Sequence, residues 1–258
     1  MRIVCHFSCG AASAVATKLT LARYGHSDVV IYNAFIAEEH PDNRRFLADC
    51  ERWFDHPITV LRDEKYGASV HEVWRRKRYI KNHFGAPCSG HLKRELIESA
   101  CLPDDRHVFG FTVEEMDRAD RWLKSPVQEM REAAMFPLID ANLTHADCLG
   151  MVERAGLVLP EMYRLGFNNA NCIGCCKGGE GYWNKIRAVF PDVFAQVVQI
   201  QEAIGPGAYL FRNRTTQERF GLKDLQPGAG RHDEELPSCS FFCDMAEQDI
   251  AGASNPLA

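Results

Sequence analysis

Apolar positions along this chain follow two rhythms. Short runs rich in β-branched and aromatic residues predict strands: RIVCHF at 2–7, DVVIYNAF at 28–35, ITVL at 58–61, HVFGF at 107–111 and AMFPLI at 134–139. Between them the spacing becomes helical. AASAVATKLTLARY at 11–24 predicts a helix that Gly25 is placed to end. Pro41 suits a first helical turn, and DNRRFLADCERWF continues it. SVHEVWRRKRYI at 69–80, SGHLKRELIESA at 89–100 and EEMDRADRWL at 114–123 read the same way. Strands alternating with helices predict an α/β fold, a doubly wound, mostly parallel sheet with helices on both faces.

Past residue 160 the rhythm changes. NNANCIGCCKGGEG is a loop rich in Asn, Gly and Cys, and WNKIRAVFPDVFAQVVQIQEAIG predicts one or two helices broken near Pro191. The expected organisation is an α/β unit over 1–160, a helical portion carrying the cysteine loop over 161–245, and a small polar tail over 246–258 that frays. The chain shows no internal repeat.

The turn between the first strand and first helix reads FSCGAAS, residues 7–13. A loop after the first strand of such a sheet lies at the carboxyl edge, where α/β folds bind ligands. The first amides of a helix starting at Ala11 lack intrahelical partners, and with the helix dipole they favour an anion. Gly10 allows close backbone approach, Ser8 and Ser13 offer hydroxyls, and Ala11, Ala12 and Ala14 leave space for phosphate. A plain N-cap by Ser8 satisfies the same spacing. Neither a Walker loop nor a G-x-G-x-x-G fingerprint is present.

Composition changes this picture little. The 258 residues are 46% hydrophobic and 25% charged, with net charge −5, so bulk charge does not mark a nucleic-acid binder. One basic stretch, WRRKRYIK at 74–81, can still meet phosphates or form a solvated helix face. No apolar run approaches the ~18 residues that span a bilayer, and the first residues lack a signal-peptide pattern, so no membrane association and a cytoplasmic location are expected.

Eleven cysteines change it more. In a reducing compartment, clustered thiols bind metal or do chemistry more often than they form disulfides. Cys172-x-x-Cys175 can place two thiolates on one centre, Cys176 is adjacent, Cys88 precedes a predicted helix, and Cys239-x-x-x-Cys243 forms a second pair. Iron–sulfur and zinc centres both suit this donor set, and spacing does not separate them. Cys5, Cys50, Cys101 and Cys148 sit in strand or helix patterns and are expected in the core.

Four stretches together carry a resemblance. SCGAAS (8–13) is similar to the S-G-G-x-x-S loop of the PP-loop, or adenine nucleotide alpha-hydrolase-like, superfamily. EEHPDNRRFLADCERWF (38–54), GAPCSGHLKREL (85–96) and NCIGCCKGGEGYWNKIRAVFP (171–191) resemble its phosphoadenosine phosphosulfate (PAPS) reductase branch, especially short versions from phages and bacteria. The resemblance spans residues 1–200 in order. Cys9 replaces a usual Gly, Ala12 replaces a frequent acid, and no E-C-G-x-H tail follows, which points away from reduction of PAPS itself.

The resemblance implies ATP or a PAPS-like adenine nucleotide held at Ser8, Gly10, Ala11, Ala12 and Ser13; Glu39 and Arg118 lie past other strand ends, where they can contact it, with a plain loop residue and a surface ion pair as the respective alternatives. It implies a 4Fe–4S cluster on Cys88, Cys172 and Cys175, with Cys176, Cys239, Cys243 or an open position as the fourth site; the alternative is a structural zinc site on Cys172, Cys175, Cys239 and Cys243. Lys93 and Cys176 are the candidate catalytic residues, Lys93 by neutralising phosphate or developing charge. The implied activity is PP-loop sulfur chemistry, either sulfonucleotide reduction or ATP-dependent thiolation of tRNA or DNA bases, with a thiol or sulfur donor protein as partner; a homodimer stays open. From a different class, a non-catalytic, zinc-stabilised nucleotide-binding module remains.

Overall fold

The structure, a computed structural model, describes residues 2–82, 85–124 and 132–231. Its centre is a five-stranded, all-parallel sheet. The strands are β1 (Ile3–His6), β2 (Val29–Ala34), β3 (Thr59–Leu61), β4 (Arg106–Val108) and β5 (Ala134–Met135), in the order β3-β2-β1-β4-β5. β1 is central, with Ile3 opposite Val29 on one side and Arg106 on the other. Ile3, Val4 and Cys5 are all buried, as a strand covered on both faces requires. The chain leaves β1 towards β2 on one side and returns at β4 on the other. Such a switch opens a crevice at the carboxyl ends of β1 and β4.

The first helix, α1 (Ala11–Tyr24), matches the expected bounds. Its buried face is small, and its buried Thr17 and Thr20 hydroxyls donate to the carbonyls of Ser13 and Ala16, each at 2.8 Å. Gly25 ends it with φ 77°, its N–H donating to the Leu21 carbonyl. α2 (Asp42–Phe54) begins just after Pro41. α3 (Val70–Lys77) stops short of the expected residue 80, because Arg78 turns left-handed at φ 63°. The helix expected at 89–100 starts earlier and is not uniform. It runs as α4 (Pro87–Ser89), a π-helical turn (Gly90–Arg94) and α5 (Glu95–Glu98).

A 3₁₀ turn (Val113–Glu115) leads into α6 (Met116–Leu123). The last strand is shorter than AMFPLI. Pro137 has no N–H for a ladder and instead opens α7 (Pro137–Asp140). α8 (His145–Arg154), which the apolar spacing did not announce, starts from a capping box between Thr144 and Asp147. α9 (Glu161–Arg164) follows. α10 (Glu180–Val189) and α11 (Pro191–Ile204) break at Pro191 as expected. A small hairpin pairs β6 (Phe211–Arg212) with β7 (Arg219–Phe220) after α11.

Two apolar clusters dominate the interior. One joins β1, α1, α2 and α8 through Phe7, Phe46, Phe54 and Cys148. The other joins α3, Leu92, the cysteine loop, α10 and α11 through Trp74, Trp183, Ile186 and Val197. Cys5, Cys50 and Cys148 are buried, while Cys101 is only half-buried. Among the described residues no helix is long and apolar enough to cross a membrane. The tail 246–258, Cys239 and Cys243 lie outside the described residues.

Candidate functional site

A cavity of about 430 Å³ opens where the strand order predicts it. Ser8, Gly10, Ala12 and Ser13 form one wall, and Glu39, Lys93 and Arg118 form others. Ala11 is fully buried behind the loop. His6, Phe109, Tyr163, His145 and residues 168–171 also line it, as do the acids Glu114, Glu115 and Asp117. Sequence pattern did not mark His6, Phe109, Tyr163 or His145 as site residues, because each reaches the cavity only through the fold.

The turn is held from within. Ser13 Oγ accepts from the Ser8 amide at 3.1 Å and the Ser8 hydroxyl at 3.2 Å, and donates to the Gly10 carbonyl at 2.9 Å. The two hydroxyls therefore shape the loop rather than offer their protons outward. Cys9 takes the left-handed φ of 58° that would suit Gly. Its buried thiol accepts from Asn33 and Arg44, each at 3.5 Å, and burial holds it far above the ordinary thiol range. Ser8 does not cap α1, and no other side chain does so from the Gly10 position.

The strand-end acid Glu39 is buried against three partners. Its carboxylate accepts from Asn43 Nδ2 at 3.2 Å and Arg44 at 3.4 Å, with Lys93 Nζ at 3.9 Å. Burial raises its pKa although all three partners oppose that shift. Glu38 has a different job. It accepts from the Ser69 hydroxyl at 2.5 Å and the Val70 amide at 2.8 Å, so it caps α3. Its carbonyl also receives the Ile173 amide at 2.8 Å, which ties the cysteine loop to the end of β2. Arg118 pairs with Glu115 and lies over the Phe111 ring, 4.6 Å from its centroid. His40 Nδ1 accepts the Asp42 amide at 3.2 Å at the start of α2.

A second, smaller pocket adjoins the first. Cys88, Cys172, Cys175 and Cys176 line it, together with Lys93 and Lys177. Lys93 borders both spaces. Its backbone lies in the π-helical turn, one residue after Leu92, which anchors that turn in the core. The nine described cysteines are all free thiols. Cys176 shares its proton with both Cys175 and Cys88. That hydrogen bond, helped by the Lys177 amide and the charges of Lys177 and Lys93, brings Cys175 down to about 6 against the effect of burial. Cys88 is also lowered, first by Cys176, whereas Cys176 is held well above the ordinary range.

Tyr182, a buried residue of α10, organises this loop. Its hydroxyl oxygen accepts from the Gly174 amide at 3.1 Å and the Cys175 amide at 3.0 Å, and its proton goes to the Cys172 carbonyl at 3.3 Å. Gly174 is left-handed at φ 76°. The donor set fits a soft metal centre: four sulfurs from two distant segments, gathered in one buried pocket with lysines nearby. The thiols are gathered without being arranged as a finished coordination shell, since among the described residues no three metal-binding side chains already stand in that geometry.

No protein-family model matches the chain, and no curated protein matches it either.

Proposed function

We propose that the chain is a nucleotide-dependent enzyme of sulfur chemistry, as its resemblance to the PAPS reductase branch implies. The observation that carries this reading is Lys93, which borders both the strand-end cavity and the four-cysteine pocket. An adenine nucleotide in the larger cavity would set its phosphates against the open first turn of α1, where unpaired amides and the helix dipole favour an anion. Lys93 would then meet the reacting end of the nucleotide on one side and the thiols on the other. Its charge favours negative charge developing there, and also favours thiolate at Cys175.

Cys88, Cys172, Cys175 and Cys176 would hold an iron–sulfur centre or zinc. An iron–sulfur centre, when bound, supplies electrons or sulfur to such chemistry. Two reactions share this arrangement. In sulfonucleotide reduction, a thiolate attacks the sulfur of a PAPS-like molecule and the nucleotide leaves, with a thiol donor protein as reductant. In base thiolation, a base carbonyl oxygen attacks ATP and releases pyrophosphate, and sulfur from a donor then displaces AMP.

Anaerobic purification with iron, sulfide and zinc analysis tests the centre, and calorimetry with ATP tests the cavity. Product formation from ATP with RNA or DNA, against PAPS with a reducing thiol protein, separates the two reactions. A zinc protein that binds nucleotide and turns over neither mixture would overturn the enzyme reading in favour of a binding module.

A further inference from the structure

The first turn of α1 presents three amides without intrahelical partners, those of Ala11, Ala12 and Ser13. The loop hydroxyls add nothing to them, because Ser8 donates to Ser13 and Ser13 donates to Gly10. One further hydroxyl stands at this spot. Tyr163 Oη accepts the Ala11 amide at 3.2 Å. It also lies 3.3 Å from where a Cβ on Gly10 would be, so the phenol oxygen sits directly over the loop, in the cavity wall.

A phenol both accepts and donates. Having accepted from Ala11, Tyr163 still has its proton to give, and among the described residues no acceptor for it stands within hydrogen-bond distance. Its place is fixed by α2. The Glu161 amide donates to Asp42 at 2.9 Å, and Arg45 donates to the Val158 and Leu159 carbonyls at 3.0 and 3.2 Å. The ring rests beside His145, with centroids 6.0 Å apart.

We propose that Tyr163 is a phosphate-binding residue of this site, donating its hydroxyl proton to a non-bridging oxygen of the bound nucleotide while its oxygen keeps the Ala11 amide. The proposal rests on the nucleotide reading above. In effect the phenol extends one helix-start amide by a further bond into the cavity. Burial pushes the phenol up to about 12, so it stays a neutral donor that adds no negative charge beside the phosphates.

The test is calorimetry of the full chain and of Tyr163→Phe, which removes only the hydroxyl, with ATP and with adenosine. A hydrogen bond to a charged group predicts that ATP binds about 10- to 100-fold more weakly to the variant, with adenosine affinity unchanged. Unchanged ATP affinity would overturn the proposal and leave the nucleotide reading standing. An equal loss for ATP and adenosine would also overturn it, by making Tyr163 a packing residue. If the parent chain binds neither ligand, the nucleotide reading itself fails and this proposal goes with it. Thermal unfolding checks that the variant is folded. Should it not be, Tyr163→His is measured in its place: ATP binding within about threefold of the parent, as a ring N–H donor allows, supports the proposal, and a loss shared equally by ATP and adenosine overturns it.

Discussion

The hydrogen in place of a side chain at Gly110 lets the chain leaving β4 lie against the start of α1. A Cβ there would stand 3.0 Å from both Cα and N of Ser13, and 3.2 Å from the Ala12 carbonyl carbon. Those atoms are backbone, which cannot swing aside as a long side chain can. Gly110→Val is therefore expected to displace the helix start, lowering stability by about 1–3 kcal/mol. The melting temperature should fall and ATP affinity should fall with it; an unchanged melting temperature would show that the contact relaxes freely. Asp105 acts at the opposite end of the same strand pair. It accepts from Arg2 at 2.9 and 2.5 Å and from the Leu102 amide at 2.7 Å. Burial would raise its pKa, but these bonds outweigh it and leave the folded value below the unfolded one. The stability it contributes is thus complete above about pH 4 and is lost as pH falls through the folded value. Asp105→Asn should lower stability by about 1–3 kcal/mol at pH 7, and urea titrations should show the difference from the parent shrinking below pH 4.

Elements differ in how far neighbouring residues specify them. α1 was legible because its strand, its turn and its terminating glycine are contiguous. β5 was overextended because FPLI is apolar, yet Pro137 can open a helix and cannot join a ladder. α8 was missed because its signal lies in the Thr144–Asp147 cap rather than in apolar spacing, and the π-helical turn under Lys93 has no signature of its own. The cysteine loop combines both situations. The motif Cys172-x-x-Cys175-Cys176 is visible in sequence, but the hydroxyl that shapes it comes from Tyr182, whose residue type and helical spacing also suit plain packing. Tyr182→Phe deletes three hydrogen bonds and leaves two buried amides, those of Gly174 and Cys175, without their acceptor. A loss of about 1–3 kcal/mol is expected, together with reduced retention of iron or zinc after purification. Metal content equal to that of the parent chain would mean that the loop is shaped by its glycines and its tie to Glu38 alone.

At the scale of the whole molecule, the alternation of strands and helices was enough to predict a crevice at the carboxyl edge of the sheet, and the order β3-β2-β1-β4-β5 puts a cavity between β1 and β4. Which side chains meet there was less legible, because the meeting is long-range. Tyr163 reaches Ala11 across 152 positions, and Asn43 reaches the Ala170 carbonyl across 127. No local pattern encodes such a pair; it follows from how α2, α9 and the cysteine loop close over the sheet. The same closure sets the two pockets side by side with Lys93 in the wall of both. If that wall couples them, filling one space must alter the other. In reduced, metal-free protein, saturating ATP is expected to slow iodoacetamide labelling of Cys175 severalfold, read by mass spectrometry, because the phosphates draw the Lys93 charge away from the Cys175 thiolate and close the approach beside it. Lys93→Met keeps the length and apolar stem of the side chain, and Arg44 remains to offset the Glu39 carboxylate. This variant should still bind ATP, more weakly, yet lose most of the protection at saturation. Protection that persists in Lys93→Met would move the coupling to the Asn168–Asn171 loop, which lines the cavity just before the cysteines begin.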